Sequence, residues 1–173
     1  MVNTLSEVPS GLEIFVDANI FIYHFSGPTE FTEPCFNFLL CIEEGDLIGY
    51  TSTTVLTEIL HRLMIIEATE KLDIEPKNAI RYLKRHPQEV KKLTSHLSVP
   101  EKIKQMGLNF LTPNADDLIA SNEIKKEFGF LTNDSINPSI MKRYNLKNIA
   151  TNDPDFERIA YIQVWKPSKM PLP

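Results

Sequence analysis

The chain has 173 residues, inside the usual span of about 100–200 for one domain, and 42% hydrophobic with 24% charged residues is ordinary globular composition that excludes a disordered polyelectrolyte. The formal charge of −5 excludes a uniformly basic nucleic-acid binder. It is unevenly spread: residues 1–61 hold nine Asp and Glu and no Lys or Arg, while residues 62–173 carry all 18 basic residues against 14 acidic ones.

Residues 1–11 have neither the basic start nor the apolar stretch of a signal peptide. No apolar run approaches the roughly 18 residues of a membrane span. The expectation is a soluble, cytoplasmic chain with no membrane attachment. Cys35 and Cys41 stand six positions apart on one predicted helix. At about 1.5 Å per residue they are about 9 Å apart along its axis, too far for a disulfide.

Residues 12–16 (Leu-Glu-Ile-Phe-Val) form a short β-rich run ending at Asp17 and predict a central strand. A short helix over 19–25 precedes the Ser26-Gly27-Pro28 break, and a second spans 32–44 with Gly45 as its terminator. Residues 47–51 predict a second strand. The hydroxyl run 51–54 then offers N-caps for a helix whose Val55, Leu56, Ile59, Leu60, Leu63 and Met64 recur at helical spacing. An apolar strip on such a helix could pair two protomers or receive a partner's helix.

Pro76, Pro87 and Val99-Pro100 stand where each could open a further helix. This region is basic, with eight Lys and Arg over 77–104 against Glu89 and Glu101. Residues 108–111 predict a strand, 114–128 a helix closed by Gly129, and 130–132, 148–151 and 161–165 short strands. Asn137-Pro138 reads as a cap followed by a first helical residue, so a helix is expected from Pro138. The alternation predicts one α/β domain over 1–173 with a parallel sheet, a basic helical region at about 71–105 and an irregular tail at 166–173.

Ligand sites in open parallel sheets lie beyond the carboxyl ends of the strands. Asp17, Asp134 and Asp153 each follow a predicted strand, and Glu58 lies in the first turns of the helix after the second. If these strands run the same way, four carboxylates converge. Such a cluster needs a counter-charge, and carboxylates with water suit Mg²⁺ or Mn²⁺, which can activate water and stabilise phosphoryl charge. Each acid also has a plainer role: Asp17 and Asp134 as caps, Asp153-Pro154 as a turn, Glu58 as half of a surface pair with Arg62. His24, His61, His86 and His96 show no metal-binding spacing and read as solvated or core-edge residues.

Phe15-Val16-Asp17-Ala18-Asn19-Ile20, the Glu58 helix and Thr151-Asn152-Asp153-Pro154-Asp155-Phe156 together resemble the signature of PIN-domain proteins, through most of residues 12–165. The resemblance implies a three-layer α/β/α fold with a mostly parallel sheet of about four to five strands. It implies a Mg²⁺- or Mn²⁺-dependent ribonuclease whose acidic metal site is Asp17, Glu58, Asp134 and Asp153, with Asp155 a further acidic neighbour. Asn19 and Thr151 would support it by hydrogen bonding. The toxins of toxin–antitoxin pairs share this pattern, as do PIN proteins in RNA processing, which implies an RNA substrate and, for a toxin, an antitoxin partner. One departure stands out: family members commonly have Asp-Ala opening a helix at the third acid, where this chain has Asn133-Asp134-Ser135. A PIN module that binds RNA or protein without cleaving, and a DNA or flap nuclease, are the alternative readings. Lys84, Arg85, Lys91 and Lys92, with Lys77, Arg81 and Tyr82, could form an RNA-facing wall or simply a solvated helix face.

Overall fold

The computed structural model describes residues 3–171. Six strands form one all-parallel sheet: β1 (Asn3–Thr4), β2 (Glu13–Val16), β3 (Ile48–Ser52), β4 (Asn109–Leu111), β5 (Asn148–Ala150) and β6 (Gln163–Lys166). Their spatial order is β1-β6-β5-β2-β3-β4. This exceeds the expected four to five strands, because β1 adds a two-residue edge beside β6. The central strand β2 buries Ile14, Phe15 and Val16 completely, as a strand covered on both faces must.

From β2 the chain moves outward through β3 to β4, then returns to build β5 and β6 on the other side of β2. Right-handed crossovers therefore place the connections β2–β3 and β3–β4 on one face of the sheet and the β4–β5 connection on the other. The first face carries α1 (Ala18–Phe25), α2 (Thr32–Glu43) and α3 (Thr53–Leu72), with α1 packed on both others. The second carries α7 (Ala115–Phe128) and α8 (Ile136–Arg143), packed on each other. Gly49 on β3 explains how closely α2 sits: an added Cβ would come within 2.8 Å of Ile42 Cγ2.

Between β3 and β4 lie α4 (Pro76–Arg85), α5 (Pro87–Val90) and α6 (Val99–Gln105), each with proline in its first turn, where no intrahelical N–H is needed. Ala68, Leu83 and Leu93 form a second small core that joins the end of α3 to this basic region. The long helix α3 thus places its apolar residues inside the chain: Val55, Ile59 and Leu63 in the main core, Met64, Ile65 and Leu72 in the second.

The second core is locked by a buried carboxylate. Glu67 Oε1 accepts from Lys71 Nζ at 2.6 Å, Thr94 N at 3.0 Å and Ser95 Oγ at 3.0 Å, while Oε2 accepts from Ser95 N at 3.1 Å. His96 Nδ1 lies 3.0 Å from Oε2. Burial alone would raise its pKa, but the bonds from Lys71, His96 and Ser95 outweigh burial and hold it well below the usual carboxylate range.

Two expectations fail locally. Residues 130–132 form no strand; Phe130 drops into the core at 5.5 Å from the Phe156 ring while Leu131 is 75% exposed, and the chain enters a turn. The helix expected from Pro138 begins at Ile136. Hydrogen bonds from Ser135 N to Leu131 O and from Ile136 N to Asn133 O run the turn directly into α8, so Asn137 is not its cap. Cys35 and Cys41 are both free thiols, and burial pushes the Cys35 thiol up to about 12. No helix among the described residues is long and apolar enough to cross a membrane.

Candidate functional site

The chain reverses its direction of growth between β2 and β5, and the carboxyl ends of two adjacent strands meet there. A parallel sheet opens a crevice at such a switch point. Asp17 follows β2 and occupies the N-cap position of α1, yet its side chain makes no cap bond. Its backbone N–H donates to Ala150 O at 3.1 Å, extending the β2–β5 ladder. The carboxylate instead meets β5: Thr151 Oγ1 donates to Asp17 Oδ2 at 2.7 Å, and Asn19 Nδ2 donates to the same oxygen at 2.7 Å.

A short polar network surrounds that pair. Asn19 Nδ2 also reaches Thr151 Oγ1 at 2.8 Å, and Asn19 Oδ1 accepts from Asn152 N at 3.0 Å. Asp153 N donates to Thr151 Oγ1 at 3.0 Å. Asp153 Oδ1 caps the following turn by accepting from Asp155 N at 2.9 Å, and Asp155 is in turn paired with Arg158 Nη2 at 2.6 Å. Asp155 therefore has a cationic partner, which Asp17, Glu58, Asp134 and Asp153 lack among the described residues.

Asp17 is 7% exposed. Burial is the main cause that pushes its pKa up to about 6; the hydrogen bonds from Thr151 and Ala18 oppose it, and the charges of Glu58 and Asp153 add to it. Glu58 is raised by its surroundings and by Asp134 and Asp153, with Arg62 pulling the other way. Asp134 is raised by desolvation, then by Asp153 and Asp155. The charge of Asp153 thus acts on Asp17, Glu58 and Asp134 alike. Glu58 and Arg62 form no ion pair within 4 Å among the described residues.

Glu58 and Asp134 face across a cleft of about 430 Å³, lined also by Thr54, Thr57, His61, Asn133, Ile136 and Asn137. Ser52 caps α3 by accepting from Val55 N at 3.2 Å, which starts the helix early enough to put Glu58 on this wall. Asp134 sits in the turn ahead of α8. Two of the cleft residues carry no functional signal in the sequence, where His61 reads as a solvated histidine and Asn137 as a cap. The one available clue is that His61 follows Glu58 by three residues on α3, the spacing that shares a helix face.

The carboxylates are the hard oxygen donors that suit Mg²⁺ or Mn²⁺. Among the described residues no three His, Cys, Asp or Glu side chains are spaced to enclose an ion by themselves. A cation held here would have to keep part of its water shell, as Mg²⁺ does, and its charge would offset the buried Asp17 carboxylate.

The basic residues lie elsewhere. Lys84 and Arg85 end α4, Lys91 and Lys92 follow α5, all exposed, and none lines the cleft. Lys92 is bound to Glu89 at 2.9 Å. Tyr82, named with that basic wall, stacks on His86 at 4.1 Å between ring centroids.

Ribonuclease VapC2 of Methanocaldococcus jannaschii is 28% identical over 153 residues, 88% of this chain and 92% of that protein. Ribonuclease VapC6 of the same organism is 35% identical over 68 residues, 39% of this chain and 44% of that protein. Among solved structures, a toxin–antitoxin complex from Klebsiella pneumoniae covers 91% of this chain and 99% of its own at TM-score 0.56 and 16% identity. Mycobacterium tuberculosis VapC20, described as a sarcin-ricin loop cleaving toxin, covers 87% and 98% at TM-score 0.56 and 14% identity. VapBC2 from Rickettsia felis, bound to a promoter DNA fragment, covers 89% and 98% at TM-score 0.52 and 16% identity. The structural likenesses speak for the fold. The PIN domain model matches residues 14–161, from the middle of β2 to just before β6, which takes in all four converging acids. With the switch-point site inside that match, the chain belongs to the PIN domain family.

Proposed function

We propose that the chain is a Mg²⁺- or Mn²⁺-dependent endoribonuclease of the toxin type. The observation that carries this reading is Asp17: a buried carboxylate, ordered by two short hydrogen bonds, whose charge is opposed by burial and by Glu58 and Asp153. Such a group is costly unless a cation joins it. Asp17, Glu58, Asp134 and Asp153 would hold the ion, with Asp155 alongside. When bound, it would lower the pKa of a coordinated water and offset charge on the phosphoryl group. Asn19 and Thr151 fix the rotamer of Asp17, and Asp153 is oriented by its own bond to Asp155 N. The cleft beside Glu58 and Asp134 would admit the RNA strand, and hydrolysis proceeds by water with no covalent enzyme intermediate.

The names of the relatives support the same reading: two are ribonucleases, and the structural neighbours include toxin–antitoxin assemblies. A protein antitoxin is therefore the proposed partner, and a homodimer the proposed assembly. Purified protein should cleave RNA with Mg²⁺ or Mn²⁺ and lose this activity in EDTA, and Asp17→Asn and Asp153→Asn should each abolish it. Full activity in both variants would remove the site from the chemistry. Cleavage of branched DNA in preference to RNA would make it a different nuclease; RNA binding with no cleavage and no metal uptake by calorimetry would make it a binding module.

A further inference from the structure

Asn137 carries an amide donor that no other described residue accepts from. The residue is 6% exposed, yet only its oxygen is occupied: Oδ1 accepts from Ser52 Oγ at 3.0 Å and from Thr54 Oγ1 at 3.1 Å. In this arrangement the amide oxygen faces both hydroxyls, and the Nδ2 group is turned away from them. The Nδ2 group has no hydrogen-bond partner among the described residues and is not sealed from solvent. Asn137 borders the cleft that also contains Glu58 and Asp134.

A capping role does not account for this residue. Ser135 holds the N-cap position of α8, and Asn137 lies inside the first turn. Joining α8 to the start of α3 requires an acceptor, and a carboxylate would supply one as well as an amide. What the amide adds is a pair of N–H donors beside two acids, in a cleft with no Lys or Arg among its lining residues. A neutral donor in that place can hold an anionic oxygen without taking the carboxylates out of service as cation ligands.

We infer that Asn137 is a substrate-binding residue whose Nδ2 donates to a non-bridging phosphate oxygen of the RNA strand lying in the cleft, an inference that rests on the ribonuclease reading above. The cleft volume of about 430 Å³ falls in the range of about 300–1,000 Å³ typical of small-molecule sites and is adequate for one nucleotide.

The test compares Asn137→Asp with Asn137→Ala. Aspartate keeps an acceptor for Ser52 and Thr54 and replaces the donor by an oxygen. Alanine removes both; Ser52 and Thr54 lie 2.7 Å apart, so one hydroxyl can donate to the other. Binding of a fluorescein-labelled mixed-sequence RNA 12-mer is followed by anisotropy in the Asp17→Asn background, and KM and kcat are measured with Asp17 intact. Both variants should weaken RNA binding and raise KM by about tenfold, equal to about 1.4 kcal/mol, with melting temperatures close to the parent. Parent-like binding in Asn137→Ala overturns the inference, because a defect confined to Asn137→Asp would reflect only its added charge. A loss that appears on poly(U) and not on poly(A) overturns the phosphate assignment in favour of base contact. Failure of the parent protein to cleave any RNA defeats the ribonuclease reading itself, and that is seen before any Asn137 variant is made.

Discussion

Thr151 Oγ1 donates to Asp17 Oδ2 at 2.7 Å across a sequence separation of 134 residues. The bond joins the carboxyl ends of β2 and β5 and restrains the Asp17 carboxylate, so its loss is felt by the reaction more than by the fold. Thr151→Val keeps the β-branched shape and removes the hydroxyl. It should lower kcat by about 10–100-fold, on the scale of misplaced catalytic groups, and Thr151→Ser should restore most of it. Equal activity in all three proteins would show that Asp17 needs no such restraint.

Asp17 itself should be a liability to the metal-free fold. Its folded pKa of about 6 lies above the ordinary Asp value, so its contribution to stability is greatest below about pH 4 and is lost as pH rises through about 6. Asp17→Asn should therefore be more stable than the metal-free parent by about 1–3 kcal/mol at pH 7.5, with the gap closing below about pH 4. Added Mn²⁺ should raise the melting temperature of the parent and leave that of the variant unchanged. Calorimetric scans over pH 4–8, with and without the ion, read both effects.

Glu67 works in the opposite direction. Its folded pKa is depressed, so its stabilisation is present above the ordinary Glu range near pH 4.3 and is lost as pH falls below that range toward the folded value. Glu67→Gln cannot accept all of the donors from Lys71, Thr94, Ser95 and His96, and it should cost about 1–3 kcal/mol at neutral pH. The difference between parent and variant, followed by denaturant unfolding from pH 7 to pH 3, should shrink on the acid side. Amide exchange should quicken first at residues 94–96.

The basic segment should act on binding and leave the chemical step alone. Lys84→Ala with Arg85→Ala should raise KM for RNA with little change in kcat. It should also flatten the dependence of log KM on log salt by about 0.7 for each RNA phosphate that the variant no longer neutralises. Lys92→Ala should have a smaller effect, because Lys92 is already engaged by Glu89. A salt slope unchanged by the double substitution would mark α4 as a solvated face.

The parts of the fold legible in the sequence are those where local chemistry and global packing agree. The apolar run before Asp17, the Ser52 cap, the prolines opening α4 and α5, and Asn114 with Gly129 bracketing α7 all fall where composition places them. Strand β1 is two residues long, too short to show any period. Residues 130–132 have strand-like composition, but Phe130 is drawn into the core against Phe156 and the backbone must turn to reach α8. Asn137-Pro138 follows a sound capping rule and yet lies inside the helix, because the preceding turn already satisfies the first N–H groups. In the candidate site, order along the chain marks Asp17 and Asp153 beyond strand ends, whereas Asp134 follows no strand and sits in the turn before α8. The hydrogen bonds from Ser52 and Thr54 to Asn137 span 83 to 85 residues and leave no local trace.

The switch point also sets a timetable. Thr151 is made 134 residues after Asp17, and Asp153 two residues later. At about 5–20 residues per second, 134 residues represent on the order of 10 s of translation. During that interval β2 has no β5 to pair with, so the acidic cluster does not exist on the nascent chain. Any product that stops short of residue 151 lacks Thr151 and Asp153, and with them the carboxyl-end half of the switch point.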